Sequence, residues 1–351
     1  MNRGGSQLSF TMKSHAVVFT GPHQVSFREI ESPVPEAEDV VVELHYSWIS
    51  NGTEGSFLRG ERISGDVAWR EGDPAPFPMV AGYQKVGRVT KVGSAVRGFS
   101  VGDWVFASMS RVCGMFDNQF AGHVSPSVCH HDAVQHLPPG ANPIAFSGLL
   151  LAQVGYNCGS KPPIGNGQTA VIIGDGLVGQ WAGQTLAARG AHVVMIGRHE
   201  ERLARFQKFG KTLLGGNDYG LAEIKALGSC PVQVLVETVG SIAALESYLP
   251  TMRRGGQMVI AGFYPSAGSV NFQQSLQAFR HREIAFQLPS GATKERMDET
   301  LRWVADGRLD MLGCLTHRFP VEDAAAAWEL ITTKREPFLG VVLDWPASRK
   351  E

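Results

Sequence analysis

Residues 170–198 read AVIIGDGLVGQWAGQTLAARGAHVVMIGR and limit the possible folds more than any other stretch of the chain. A short apolar run over 170–173 ends in glycines at 174, 176 and 179, an amphipathic helical stretch follows, and a second apolar run covers 192–196. Strand, glycine turn, helix and strand in this order form the βαβ unit that binds dinucleotides. Gly174 permits the tight turn. Gly176 lets the backbone approach a pyrophosphate, and Gly179 lets helix and strand pack closely. Leu177 and Val178 open the helix, whose free N–H groups and positive dipole end suit phosphates. The alternative is a glycine-rich turn in an α/β fold without a ligand.

The end of the second strand bears on which nucleotide is bound. An NAD site places Asp or Glu about 20 residues past the glycines, to bind the ribose 2′-OH. Here the strand end reads Ile196-Gly197-Arg198-His199, with no acid. Gly197 leaves room for a 2′-phosphate and Arg198 supplies a bidentate cation, with Arg202 one helical turn further on. NADP(H) is therefore the expected cofactor. If Arg198 and Arg202 are only solvated surface charges, the cofactor is NAD.

At 351 residues the chain is long enough for two domains. Its net charge is −1 and it has no long basic run, which argues against a nucleic-acid partner. No apolar run approaches the ~20 residues of a membrane helix, and residues 1–10 lack the apolar core of a secretory signal. Five cysteines, none in a CxxC pair, give neither a zinc ribbon nor a disulfide framework. Free thiols in a reducing cytoplasm are expected.

Residues 14–150 read as short β segments between Gly and Pro turns, with strands expected at 15–20, 39–47, 86–92, 104–108 and 119–124. From about 151 the rhythm changes to alternating strand and helix. Further parallel strands are expected at 232–237, 257–261 and 284–288, with helices at 241–252 and around Met297, Leu301 and Val304, the last ended by Gly307. A short helix near 324–331 and a strand near 340–343 return to the style of the first domain. The fold class is α/β: a mostly β domain of residues 12–150 and 308–351, and a doubly wound parallel sheet over 151–307.

The segments GRVTKVGSAVRGFSVGDWVF, the glycine fingerprint, VLVETVG, GGQMVIAG and LGVVLDW occur in this order along nearly the whole chain. Together they resemble the medium-chain dehydrogenase/reductase superfamily. The resemblance implies a GroES-like catalytic domain, a Rossmann domain and an active site in the cleft between them. It also implies nicotinamide contacts at Val239-Gly240 and Gly262-Phe263, and a homodimer paired through an edge strand. Zinc members carry a Cys-Gly-Thr-Asp-like motif and a Gly-His-Glu motif. This chain has Asn51-Gly52-Thr53-Glu54 and Gly82-Tyr83-Gln84 instead, and no Cys, His or Glu in 145–151, where a third ligand would fall. Catalytic zinc needs three soft or anionic protein ligands, so neither a catalytic nor a structural zinc is expected. The Cys129-His130-His131 run reads as a surface loop. Among zinc-less branches, the pattern is most similar to the bacteriochlorophyllide a dehydrogenase-like group, although Gln84 departs from that group's Gly-Tyr-Glu.

Hydride transfer to a carbonyl builds charge on oxygen, which must receive a proton or hydrogen bonds. The vacated pocket offers Tyr83, Asn51 and Thr53. Lys85, two residues past Tyr83, would project to the same face of a strand and lower its pKa. The alternative is that Tyr83 fills volume and Lys85 is solvated. The resemblance gives Thr53 a proton-relay role. Glu54 is expected to orient Asn51 or an arginine, or else to be a buried structural acid. The turn-rich segment 59–78 is a candidate substrate loop, with Trp69 and Phe77 either stacking on a ligand or packing beneath the loop. The resulting expectation is a zinc-independent NADP(H) oxidoreductase that interconverts a small-molecule secondary alcohol and ketone. An enoyl or quinone reductase and a non-catalytic NADP-binding protein are the alternatives.

Overall fold

The computed structural model describes residues 11–216, 220–228, 231–264 and 272–349. The chain divides into two units. One runs to Gly148 and includes Arg318–Thr333 and the chain from Val341; the other comprises Leu149–His317 and Lys334–Gly340. Residues 149–150, 308–317 and 334–340, expected in the β-rich domain, thus fall in the second unit.

The first unit is built from antiparallel strands. Thr11–Gly21 and Gln24–Pro33 form a hairpin that turns at His23, whose φ is 58°. A larger sheet orders Val134–His136, Trp104–Ala107, Lys85–Val92, Asp39–Ile49 and Gly340–Asp344 side by side. Along Asp39–Ile49, the β-branched and aromatic residues Val40, Val42, Trp48 and Ile49 are fully buried. Each such side chain contributes roughly 1.5–3 kcal/mol on leaving water. The helix Asn51–Leu58 follows directly.

The strand expected at 119–124 does not form. The His123 and Gly122 N–H groups both go to the Ala81 carbonyl, at 2.8 and 3.2 Å, so neither is left for a ladder. An added Cβ at Gly122 would lie 2.0 Å from the Tyr83 nitrogen, which shows how closely this segment presses on the 82–83 bend.

The second unit holds a six-stranded, wholly parallel sheet. Its order is Lys211–Leu214, His192–Gly197, Thr169–Ile173, Val232–Glu237, Met252–Ile260, Ala285–Gln287. Alternation along the central strand divides its side chains between two cores: Val171 and Ile173 join one cluster, Ala170 and Ile172 the other. Both faces are covered, as a parallel sheet requires. The helix expected over 241–252 is shorter, Ile242–Tyr248, followed by a 3₁₀ turn at Leu249–Thr251. Pro250 has no N–H to continue the α-helical ladder, and Met252 already belongs to the next strand.

Candidate functional site

In the parallel-sheet unit, the Thr169–Ile173 strand ends at Gly174, where φ is 116°. The helix Leu177–Ala188 begins after Gly176, and no side chain caps it. Its first N–H groups thus remain available to an anion. An added Cβ at Gly176 meets nothing within 4 Å, so the backbone there borders open space. Leu177 is buried and Val178 packs against the apolar core, and neither of these two expected cofactor contacts lines the cavity described next. A cavity of about 350 Å³ is lined by this loop together with Gly197, Arg198, His199, Arg202, Val239 and Lys334.

The two arginines differ. Arg198 is exposed. Arg202 is mostly buried: its Nε donates to the Phe338 carbonyl at 2.7 Å, its guanidinium lies 4.9 Å from the Phe338 ring, and Nη1 is 3.4 Å from Asp175. Lys334, which the sequence reading missed, is an exposed residue in the left-handed region at φ 53°. A non-glycine residue there carries about 1–3 kcal/mol of strain, a cost concentrated at ligand sites.

At the C-terminal ends of the next two strands, Gly240 and Gly262–Phe263 stack backbone on backbone. A Cβ on Gly262 would lie 2.2 Å from the Gly240 nitrogen. Ligands of open α/β sheets bind at such strand ends. Val239 is exposed, and its N–H donates to the buried Glu237 carboxylate at 2.7 Å. The Tyr264 hydroxyl donates to the other Glu237 oxygen, and burial together with that carboxylate raises the Tyr264 pKa. The sequence reading singled out neither residue.

In the β-rich unit, Ser50 precedes the Asn51–Leu58 helix, which carries Asn51, Thr53 and Glu54. The Tyr83 phenol lies beside the side chains of Ser50 and Thr53. Burial pushes its pKa well above the ordinary value and the Glu54 carboxylate adds to that, while Ser50 and Thr53 act to lower it. Glu54 is buried. Its Oε1 accepts the Ser50 N–H at 2.7 Å and its Oε2 lies 2.9 Å from His123 Nε2. Its partner is thus His123, in place of the expected Asn51 or arginine. His123 Nδ1 meets Ser47 Oγ at 2.8 Å, and Trp345 Nε1 donates to the same Ser47 oxygen at 2.8 Å.

The expected Tyr83–Lys85 couple is not present. Lys85 is fully buried and its Nζ donates to Ser110 Oγ at 2.5 Å and to the Ala121 carbonyl at 3.0 Å. The strand begins only at Lys85, so the alternation that would align it with Tyr83 does not extend back to 83. Burial lowers the Lys85 pKa to about 8. Because the unfolded chain keeps the proton up to about 10.5, the unfolded state binds more protons between these values, and stability rises with pH. We expect wild type to gain up to roughly 3 kcal/mol over Lys85→Met between pH 8 and 10.5; urea unfolding of both proteins across that range would detect it.

In the 59–78 segment, Arg62–Ser64 and Val67–Ala68 pair as a small hairpin. The Trp69 indole bonds the Pro74 carbonyl, and the Phe77 ring packs 3.5 Å from where a Cβ on Gly60 would stand.

The donors at Asn51 and Tyr83 are an amide and a phenol, and Glu54 is already held by two hydrogen bonds. This set does not fit tetrahedral zinc, which takes thiolate, imidazole or free carboxylate. Among the described residues, Glu38, His130 and His131 bring ligand-type atoms within 4.8 Å of one another, at an exposed position. His130 ends the strand Ser127–His130, and Cys129 is buried.

Two family models match this architecture: the alcohol dehydrogenase GroES-like domain over residues 37–147 and the zinc-binding dehydrogenase over 178–306. The chain belongs to the medium-chain dehydrogenase/reductase superfamily. It is thus an alcohol-dehydrogenase-like oxidoreductase, and a nicotinamide cofactor accompanies that membership. One relative within the superfamily is the 2-desacetyl-2-hydroxyethyl bacteriochlorophyllide A dehydrogenase of Cereibacter sphaeroides, 25% identical over 96% of this chain and 100% of that one. The alcohol dehydrogenase TADH from Thermus sp. ATN1 shares the fold at a TM-score of 0.78 and 22% identity, covering 94% of this chain and 99% of that one. A Sinorhizobium meliloti 1021 protein assigned to the zinc-binding dehydrogenases and solved bound to NADP does so at 0.78 and 20%, covering 95% and 99%.

Proposed function

We propose that this superfamily member is a zinc-independent, NADP(H)-dependent oxidoreductase that interconverts a small-molecule secondary alcohol and its ketone. The observation that carries the reading is the replacement of metal-ligand chemistry by a hydrogen-bonding set in which the Tyr83 phenol meets Thr53 and Ser50. The cofactor supplies the hydride. Arg198 and Lys334, cationic and lining the nucleotide cavity, support a 2′-phosphate on it.

The substrate oxygen gains charge as the hydride arrives on carbon. A phenol with a raised pKa is a weak acid but remains a protonated hydrogen-bond donor at every working pH. Tyr83 therefore donates a hydrogen bond to that oxygen, while Thr53 passes its hydroxyl proton to it and regains one from solvent. Glu54, held by His123, fixes the helix start that carries Asn51 and Thr53. An enone reductase uses the same donors to stabilise an enolate oxygen, so the product distinguishes the two reactions.

The test is NADPH consumption in the presence of a chelator on matched ketones and enones, with products identified by mass. Alcohols from the ketones support the proposal. Saturated ketones from the enones alone transfer the protein to the enoyl reductases. Loss of activity on chelation removes zinc independence. Tyr83→Phe is expected to lower kcat by about 100-fold, the loss typical of one oxyanion donor, with KM changed much less. Activity within a few-fold of wild type would show that Tyr83 is not that donor.

A further inference from the structure

Asp175 stands between the first two fingerprint glycines and is 5% exposed. Its carboxylate reaches the end of the neighbouring strand. Oδ2 accepts the backbone N–H groups of Arg198 at 2.8 Å and His199 at 2.9 Å, and lies 2.9 Å from His199 Nδ1. Oδ1 is 3.1 Å from the same ring nitrogen and 3.4 Å from Arg202 Nη1. A Cβ on Gly197 would fall 2.3 Å from Oδ2. The space left by the missing side chain at 197, expected to admit a 2′-phosphate, is thus taken by this carboxylate.

A dinucleotide fold that binds NAD has an acid at this strand end, open to the ribose 2′-OH. Here an acid reaches the same corner from the glycine loop, but with its acceptor sites taken. A carboxylate offers about four lone-pair positions. With the proton of His199 on Nδ1, two backbone N–H groups, this imidazole and a guanidinium occupy them, leaving none for a ribose hydroxyl. Arg202 also balances the charge, so the carboxylate presents little net repulsion to an anion. Arg198 and Lys334 make no ion pair among the described residues, and both line the cavity.

We propose that Asp175 is a positioning residue for cofactor choice: its saturated carboxylate fixes the 197–199 corner and the Arg202 guanidinium so that the surrounding cations receive a 2′-phosphate. The proposal rests on the NADP(H) reading above. Asp175 itself touches neither phosphate nor ribose; it acts through the backbone of Arg198 and His199. One consequence is that Gly197 cannot be exchanged for the acid of an NAD site while Asp175 is present.

The test is calorimetric binding of 2′,5′-ADP and 5′-AMP to the full chain, for wild type, Asp175→Ala and Asp175→Asn. The Asn variant keeps the size of the side chain should the Ala variant fail to fold. Wild type is expected to bind 2′,5′-ADP at least about 10-fold more tightly than 5′-AMP. Both variants are expected to weaken 2′,5′-ADP by about 10- to 100-fold, the scale of losing one or two charge-assisted contacts, while 5′-AMP stays within about 3-fold. The NADPH to NADH ratio of kcat/KM falls in step. Tighter 2′,5′-ADP binding by Asp175→Asn overturns the proposal, because the carboxylate would then oppose the phosphate. Equal weakening of both nucleotides also overturns it, because Asp175 would then only support the fold. If wild type binds the two equally, the 2′-phosphate reading fails on its own, whatever the variants do, and the proposal falls with it.

Discussion

Gly179→Ala is expected to abolish cofactor binding and to loosen the parallel-sheet unit, whereas Gly176→Ala is expected to abolish binding alone. The two glycines lie three residues apart in one loop and helix start, yet their surroundings differ. A Cβ at 179 would sit 2.1 Å from the Gly174 carbonyl oxygen and 3.3 Å from Ile172. Both sides of that contact are backbone or packed core, so no rotamer change relieves it, and either the helix or the glycine loop must move. The Gly176 backbone has φ −73° and ψ 175°, which alanine adopts without strain, and its Cβ would enter open space. That space is where the backbone must approach a pyrophosphate. Nucleotide affinity is expected to fall by at least about 100-fold in both variants, equivalent to roughly 2.7 kcal/mol. The thermal midpoint of the apoprotein is expected to drop only for Gly179→Ala. NADPH fluorescence titration and thermal unfolding of both variants provide the check. Wild-type affinity in Gly176→Ala would show that no pyrophosphate crosses this loop.

That contrast also shows what sequence can reveal. The strand–glycine–helix–strand order was readable because each element is local and periodic: 170–173 and 193–197 are continuous apolar runs, buried on both faces. The strand at 232–237 lies where it was expected, residue for residue. The arrangement around the nucleotide cavity was not readable in this way. Asp175 acts on residues 23 to 27 positions later, and Lys334 joins the cavity from far along the chain, after the intervening chain has returned to the other unit. Neither relation has a local period. Lys85 shows the opposite failure: a local rule, strand alternation, was applied one element too early, since Tyr83 sits in a bend before the strand. Asn51, Thr53 and Tyr83, the residues proposed to face the substrate, were picked out by their positions in motifs. Their physical support was missed because His123 is 69 residues from Glu54.

His123→Ala should therefore be the most damaging single change in the β-rich unit. His123 is fully buried, as is its chain of partners from Trp345 through Ser47 to Glu54. The Trp345 indole has only a proton to give, so Ser47 Oγ accepts it and donates its own hydrogen to His123 Nδ1. His123 Nε2–H then donates to Glu54, whose second oxygen takes the Ser50 N–H. Every group in the chain is satisfied, and such networks are costly to open in part. Alanine at 123 leaves a buried carboxylate facing a void and a serine hydroxyl without an acceptor, a loss of about 3–5 kcal/mol. Ser47→Ala interrupts the chain at a neutral link and should cost about 1–3 kcal/mol. Hydrogen exchange localises the effect. Amides of the Asn51–Leu58 helix should lose protection in His123→Ala, while those of Leu177–Ala188 in the other unit keep theirs. Because that first helix carries Asn51 and Thr53, kcat should fall with the protection, whereas binding of 2′,5′-ADP to the nucleotide unit should not change. A loss of less than about 1 kcal/mol at the helix amides would mean that Glu54 finds solvent or another donor, and that His123 fills space without holding the site.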